Sequence, residues 1–253
     1  TGTSFVTTGA NAARHNISDA IYQCALSDTE PSGQPTTAAN GDDANFSDDE
    51  DGIATLPLLP IATANYSLPV AVTNRTGNAA TLYGWIDWDG NSRFELAEIQ
   101  TATVPGDGSI PSVTLTWPNV RVSPGTTRYA RLRFTTFSLA DTASTPADER
   151  AQGIASDGQV EDYLLSAAPL GSLTVIKNAV GGNDSCSFNT TGLFPTSFIL
   201  TTAGGTAQRT FANLLPGFYS VTELLSPAWD LTSATCSDGS NPASVNLATG
   251  EDV

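Results

Sequence analysis

Thr127-Arg-Tyr-Ala-Arg-Leu-Arg-Phe134 decides the fold class. Side chains alternate across a strand, so Ala130, Leu132 and Phe134 share one face while Tyr129, Arg131 and Arg133 share the other. The pattern predicts a half-buried strand. Similar stretches lie on both sides of it. Tyr66 to Thr73 alternates and then meets Asn74-Arg-Thr-Gly77, a turn signal. Thr81 to Trp88 reads as a largely buried strand, Ser112 to Trp117 alternates and is stopped by Pro118, and Val160 to Leu165 closes the region. Short strands separated by Gly, Pro and Asn turns, with no long helical period, predict an all-β module, a β-sandwich or jelly roll over about residues 45–166.

Residues 167–170 read as a linker. A second strand series then begins at Leu173-Thr-Val-Ile-Lys177 and continues through Phe198 to Thr202, Gln208 to Phe211 and Gly217 to Glu223. Residues 171–253 are the length of one smaller immunoglobulin-like β-sandwich.

Charge narrows the function. The chain carries 26 acidic and 10 basic residues, a formal charge of -16, so a phosphate backbone would be repelled and nucleic acid is not an expected partner. No apolar run approaches the ~18 residues of a membrane helix, so no membrane insertion is expected within this chain. The sequence opens on Thr1 and has no Met, as a processed fragment of a longer precursor would. His15 is the only histidine, and it has no G-x-S-x-G partner motif, so a nucleophilic triad is not expected and the chain reads as non-enzymatic. The three cysteines, Cys24, Cys186 and Cys236, form no C-x-x-C pair, which argues against a zinc site. Their number suits either a cytosolic protein or a secreted one with one disulfide and one remaining thiol. Cys186 and Cys236 fall in the same module and are the expected pair, closing a loop worth about 3–5 kcal/mol in the chain-entropy account. Cys24 is then a free thiol or an intermolecular partner. Asn16, Asn45, Asn65, Asn74, Asn183 and Asn189 head glycosylation sequons.

Asp87-Trp-Asp-Gly-Asn-Ser-Arg-Phe-Glu-Leu-Ala-Glu98 is the sharpest local signal. Oxygen side chains stand at positions 1, 3, 5, 9 and 12 of the segment, the ligand spacing of a twelve-residue calcium loop. Asp87, Asp89 and Asn91 would ligate through side chains, Arg93 through its carbonyl and Glu98 through both carboxylate oxygens. Ser92 stands where such loops carry glycine. A strand-end turn of ordinary Asp/Asn/Gly composition is the plainer reading. A second cation site is expected where Asp42, Asp43, Asp48, Asp49 and Asp51 share a loop that Glu161 and Asp162 can approach, because uncompensated carboxylates raise one another's pKa and destabilise the fold. The plainer reading pairs Glu161 and Asp162 with Arg131 or Arg133. Trp85, Trp88, Trp117 and Trp229 are expected in cores, with a sugar-binding platform as the alternative.

Several blocks in order give residues 9–166 a family resemblance. They are Gly9-Ala10 with Arg14-His15, Gly41-Asp-Asp43 with Asp48-Asp-Glu-Asp-Gly52, Trp85-Ile-Asp-Trp-Asp-Gly-Asn91, Arg131-Leu-Arg133, and Asp157-Gly-Gln-Val-Glu-Asp-Tyr163. Together they resemble the GEVED domains of bacterial surface proteins, with Gln159 replacing the family's first glutamate. Leu173 to Asn178, Asn213-Leu-Leu-Pro-Gly217, Tyr219-Ser-Val-Thr-Glu223 and Trp229 to Cys236 resemble the SpaA-like, prealbumin-type domains that follow such modules.

The resemblance implies an extracellular, cell-surface location and a spacing or adhesive role beside neighbouring surface domains. It aligns Lys177 with a lysine that forms an isopeptide bond in related domains, and Glu223 with the acid that shuttles its proton. A Lys177–Glu223 ion pair is the simpler outcome. It also implies that the partner of Cys236 lies in a final strand beyond Gly250-Glu251. An immunoglobulin-like sheet without that strand has an open edge that an extended segment of another copy can fill. Residues 1–8, with Phe5 and Val6, are the candidate donor. Two functional readings follow: a calcium-stabilised module of a longer surface adhesin, or a filament subunit assembled head-to-tail with other copies of itself.

Overall fold

The computed structural model describes residues 13–16, 18–23 and 52–253. The chain divides into two compact units, Thr1–Ala167 and Ala168–Val253. It is all-β: among the described residues the only helical element is a 3-10 turn, Glu149–Ala151. Among the described residues no helix is long and apolar enough to cross a membrane.

The first unit contains β1 (Arg14–His15), β2 (Ile21–Gln23), β3 (Ala64–Asn74), β4 (Ala80–Ile86), β5 (Ile99–Val104), β6 (Gly108–Val120), β7 (Thr127–Thr135), β8 (Ile154–Ala155) and β9 (Gln159–Ser166). Its two larger sheets run β2-β3-β6 and β5-β4-β7-β9, antiparallel throughout, and β1 pairs β8 in parallel. Leu68, Val70, Leu115 and Trp117 from the first sheet meet Leu82, Ile86, Leu132, Phe134 and Leu165 from the second in one buried cluster. That core makes the unit a β-sandwich. Each large apolar side chain so buried contributes about 1.5–3 kcal/mol.

Three expectations change on contact with the structure. The β7 strand is buried on both faces, not one: Arg131 is 2% exposed and Arg133 0%. The loop between β7 and β9 folds back over the arginine face and covers it with backbone carbonyls. Pro118 does not end its strand. The β6 strand lies at the edge of its sheet, where a missing N–H costs no ladder bond, and its register with β3 shifts between Ala64 and Tyr66. Asn119 takes a φ of 55° at this shift and donates its N–H to Asn65 Oδ1. Ala167, read as linker, belongs to the first unit's core, where it is buried and donates its N–H to the Thr126 carbonyl.

The second unit contains β10 (Gly171–Asn178), β11 (Ser185–Thr191), β12 (Ser197–Thr201), β13 (Thr206–Leu214), β14 (Gly217–Leu224) and β15 (Val245–Leu247). The β10-β13 pair and the sheet β12-β11-β14-β15 enclose Leu173, Phe188, Phe198, Leu200, Phe211 and Val245. Phe188 stacks on Phe198 at 5.0 Å between ring centroids, and Phe211 meets Phe198 edge-on. Glu251–Val253 run alongside β10, Ser172 donating to the Glu251 carbonyl and Thr174 to that of Val253.

Candidate metal centre

The segment between β4 and β5 carries the candidate ligands. The β4 strand is buried along nearly its whole length, so its end delivers Asp87 into the protein with only 3% of its surface exposed. Its carboxylate then organises the loop. Oδ1 accepts from the N–H groups of Gly90 and Asn91, and Oδ2 from that of Ser92. Glu98, just before β5, is 5% exposed and accepts from the Trp88 and Glu95 N–H groups. Ligand oxygens of Asp87, Asp89 and Glu98 lie within 4.8 Å of one another.

Ser92 has a φ of 65° and Gly90 a φ of 74°. Ser92 thus takes the left-handed turn that the glycine of a calcium loop usually supplies, at the cost of a side chain there. Asn91 Oδ1 accepts from the Arg93 N–H, and its amide donates to Asp89 and Glu95, so the side chain braces the loop beside the carboxylates.

Burial, together with the nearby Asp87 and Asp89 charges, pushes Glu98 up to about 7 against the hydrogen bonds it accepts. Burial raises Asp87 as well, opposed by the loop N–H groups. Among the described residues no ion pair involves Asp87, Asp89 or Glu98. The Arg128 guanidinium lies against Gly90 and donates Nε to the Trp88 carbonyl. Three convergent carboxylates, Asp87 and Glu98 buried and Asp89 exposed, with no salt-bridged cation fit a hard divalent ion of oxygen preference. Behind the loop lies an aromatic wall: Trp117 donates Nε1 to the Glu98 carbonyl at 2.6 Å, and its ring meets Trp88 at 6.4 Å.

The other candidate ligands go elsewhere. Asp162 lies opposite Arg131 in the β7–β9 register and takes a two-pronged contact from its Nε and Nη2 at 2.7 and 2.6 Å. The plainer reading holds for this residue. Glu161, 4% exposed, accepts from the Gly52 N–H and the Tyr163 hydroxyl, which brings it to the last residue of the acidic block. Asp42, Asp43, Asp48, Asp49 and Asp51 lie outside the described residues, as do Phe5, Val6, Cys24 and Asn45.

The family blocks Arg14-His15, Arg131-Leu-Arg133 and Asp157-Gly158 converge on one buried lattice that alternation alone did not reveal. Arg133 donates Nε to His15 Nε2 at 2.9 Å and its remaining N–H groups to the carbonyls of Arg150, Gln152 and Gly153. Burial and the neighbouring Arg131 hold Arg133 down to about 10, still cationic at neutral pH. His15 Nδ1 bonds the Asp157 carbonyl at 2.6 Å, and burial with Arg133 lowers its pKa to about 3. Gly158 has a φ of 92°, and a Cβ there would stand 1.8 Å from the Phe134 carbonyl oxygen. Asp148, 1% exposed, receives Trp85 Nε1 and Arg150. A signal existed in the sequence: two arginines at the same strand face as Tyr129, beside an acidic closing strand.

Residues 81–166 match the family model of the GEVED domain, and residues 173–252 that of a prealbumin-like fold domain. The chain is a GEVED domain followed by a prealbumin-like domain. Both are structural modules of surface proteins, and the metal-centre loop and the arginine strand fall inside the GEVED match. No curated protein matches the chain. Among solved structures, red sea bream transglutaminase is similar over 72% of this chain and 30% of its own, at 12% identity and a TM-score of 0.30. So distant a likeness carries no argument about activity.

In the prealbumin-like domain, Lys177 Nζ and the Glu223 carboxylate form an ion pair at 2.8 Å, with side chains 14% and 12% exposed. The expected Cys186–Cys236 disulfide is not formed: both are free cysteines, although Cys236 packs against the cluster that holds Cys186. Asn74 cannot carry a glycan as folded. It is fully buried, donating its amide to the Asn78 and Val104 carbonyls and accepting from Thr76. Asn16, Asn65, Asn183 and Asn189 are exposed. Trp85 and Trp117 are core residues, 0% and 2% exposed, which removes them from any sugar platform.

Proposed function

We propose that the chain is a non-enzymatic structural or adhesive module of an extracellular bacterial surface protein, with calcium fastening its GEVED domain. The observation that carries this reading is the carboxylate cluster of Asp87, Asp89 and Glu98, closed by a loop with Ser92 in the left-handed conformation. A calcium ion would be held by these residues, with the Arg93 carbonyl as a further ligand, and would neutralise charge that burial otherwise makes costly. The non-enzymatic reading draws support from His15, whose two ring nitrogens are both engaged inside the fold. Calcium titration of chelator-stripped protein tests the proposal, read by melting temperature and by the fluorescence of Trp88 and Trp117. A melting temperature that ignores both calcium and chelator overturns it.

A second reading, a filament of copies joined by strand donation, draws on the edge of β10. Glu251–Val253 take up this edge as far as Thr174, and Ile176 beyond it is 59% exposed. Deleting residues 1–8 tests the donor: filaments that persist without them exclude that arm.

A further inference from the structure

The prealbumin-like domain holds a second cluster of reactive groups, independent of calcium. Lys177 is the only lysine of the chain. Its Nζ reaches from β10 to both oxygens of Glu223 on β14, at 2.8 and 3.0 Å. Glu223 lies directly opposite Phe188 in the β11–β14 register. Cys186 is two residues before Phe188, so it shares that inward face and is diagonal to Glu223, within side-chain reach. Cys186 is 9% exposed and packs in the same cluster as Phe188. The Glu223 and Lys177 charges both act on its thiol. The carboxylate that holds the ammonium therefore has this cysteine as its diagonal neighbour on the same face.

From this convergence we propose that Lys177 and Cys186 form a covalent N–O–S cross-link, with dioxygen as the oxidant. The balance is direct. The thiol loses its S–H and the amine one N–H; one oxygen atom is inserted between sulfur and nitrogen, and the other leaves as water. Sulfur and nitrogen are oxidised and dioxygen is reduced. Glu223 stands on the path of both protons and is the base that frees the amine for attack. Because β10 belongs to the β10-β13 pair and β11 to the facing sheet, the link ties the two sheets of the sandwich together.

The test uses the full chain, purified once under reductant and once after aeration. Intact mass should rise by one oxygen less two hydrogens on aeration and return with dithiothreitol. Peptide mapping should place the change on one species containing both Lys177 and Cys186. Cys236→Ser should retain the link, and Lys177→Arg and Cys186→Ser should each abolish it. Reversal by dithiothreitol in the unaltered chain reads the link without relying on any variant's folding. Loss of two hydrogens alone, mapped to Cys186 and Cys236, overturns the proposal in favour of a disulfide. An unchanged mass after prolonged aeration overturns it outright.

Discussion

Arg133 donates its Nε–H to Nε2 of His15 at 2.9 Å, so a guanidinium and an imidazole that are far apart in the chain share one buried hydrogen bond. The bond requires His15 to be neutral, with its proton on Nδ1 facing the Asp157 carbonyl. The arrangement ties β1 to the centre of β7, and the carbonyls of Arg150, Gln152 and Gly153 complete the shell around Arg133.

Acid should loosen the GEVED domain through this pair. The ordinary His15 value of 6.5 falls to about 3 in the fold, so between those values the unfolded chain binds a proton that the native chain refuses. The stability contributed is whole above 6.5 and is lost as pH falls towards 3. Urea unfolding across that range should show stability falling with acid, and His15→Gln should flatten the slope. An equally steep slope in the variant would assign the acid limb to carboxylates instead.

Replacing Arg133 by Met keeps much of its volume and removes its donors. Three part-buried carbonyls and His15 Nε2 lose their partner, a cost of about 3 kcal/mol. Limited proteolysis should then cut between residues 136 and 158, where the native chain resists.

Gly158→Ala should cost at least about 3 kcal/mol, from the left-handed conformation and the collision with the Phe134 carbonyl together. The neighbouring Gln159 tolerates change better, its side chain resting on the Gln23 N–H. Thermal melts of Gly158→Ala and Gln159→Glu compare the two directly.

Calcium should protect the domain in proportion to its free concentration over the dissociation constant, about 2.7 kcal/mol at a hundredfold excess. Glu98→Gln and Asp87→Asn should remove that protection. Ser92→Gly should do the reverse, strengthening the loop by up to about 1 kcal/mol because glycine takes the positive φ without strain. A calcium-dependent shift of Trp fluorescence that survives Glu98→Gln would place the ion elsewhere.

Much of the scaffold was legible in residue order. Alternation announced β3, β6 and β7, and the second strand series announced β10, β12, β13 and β14, because a period of two is a local property that needs no knowledge of neighbours. The calcium-loop spacing of Asp87, Asp89 and Glu98 was legible for the same reason, since a short loop closes over its own residues.

Partnership across the chain was not legible. Sequence alone determined that Arg131 and Arg133 share a strand face; only the tertiary structure decided that this face is buried. A strand's two faces are equivalent until something packs on them, and what packs here is a loop whose carbonyls offer no pattern in residue type. In the same way the order of residues identified Asp162 and Glu161 as neighbours on β9, while register set the first opposite Arg131 and the fold brought the Gly52 N–H to the second. Lys177 and Glu223 belong to strands of two sheets, so their ion pair depends on how the sandwich closes and on no spacing along the chain.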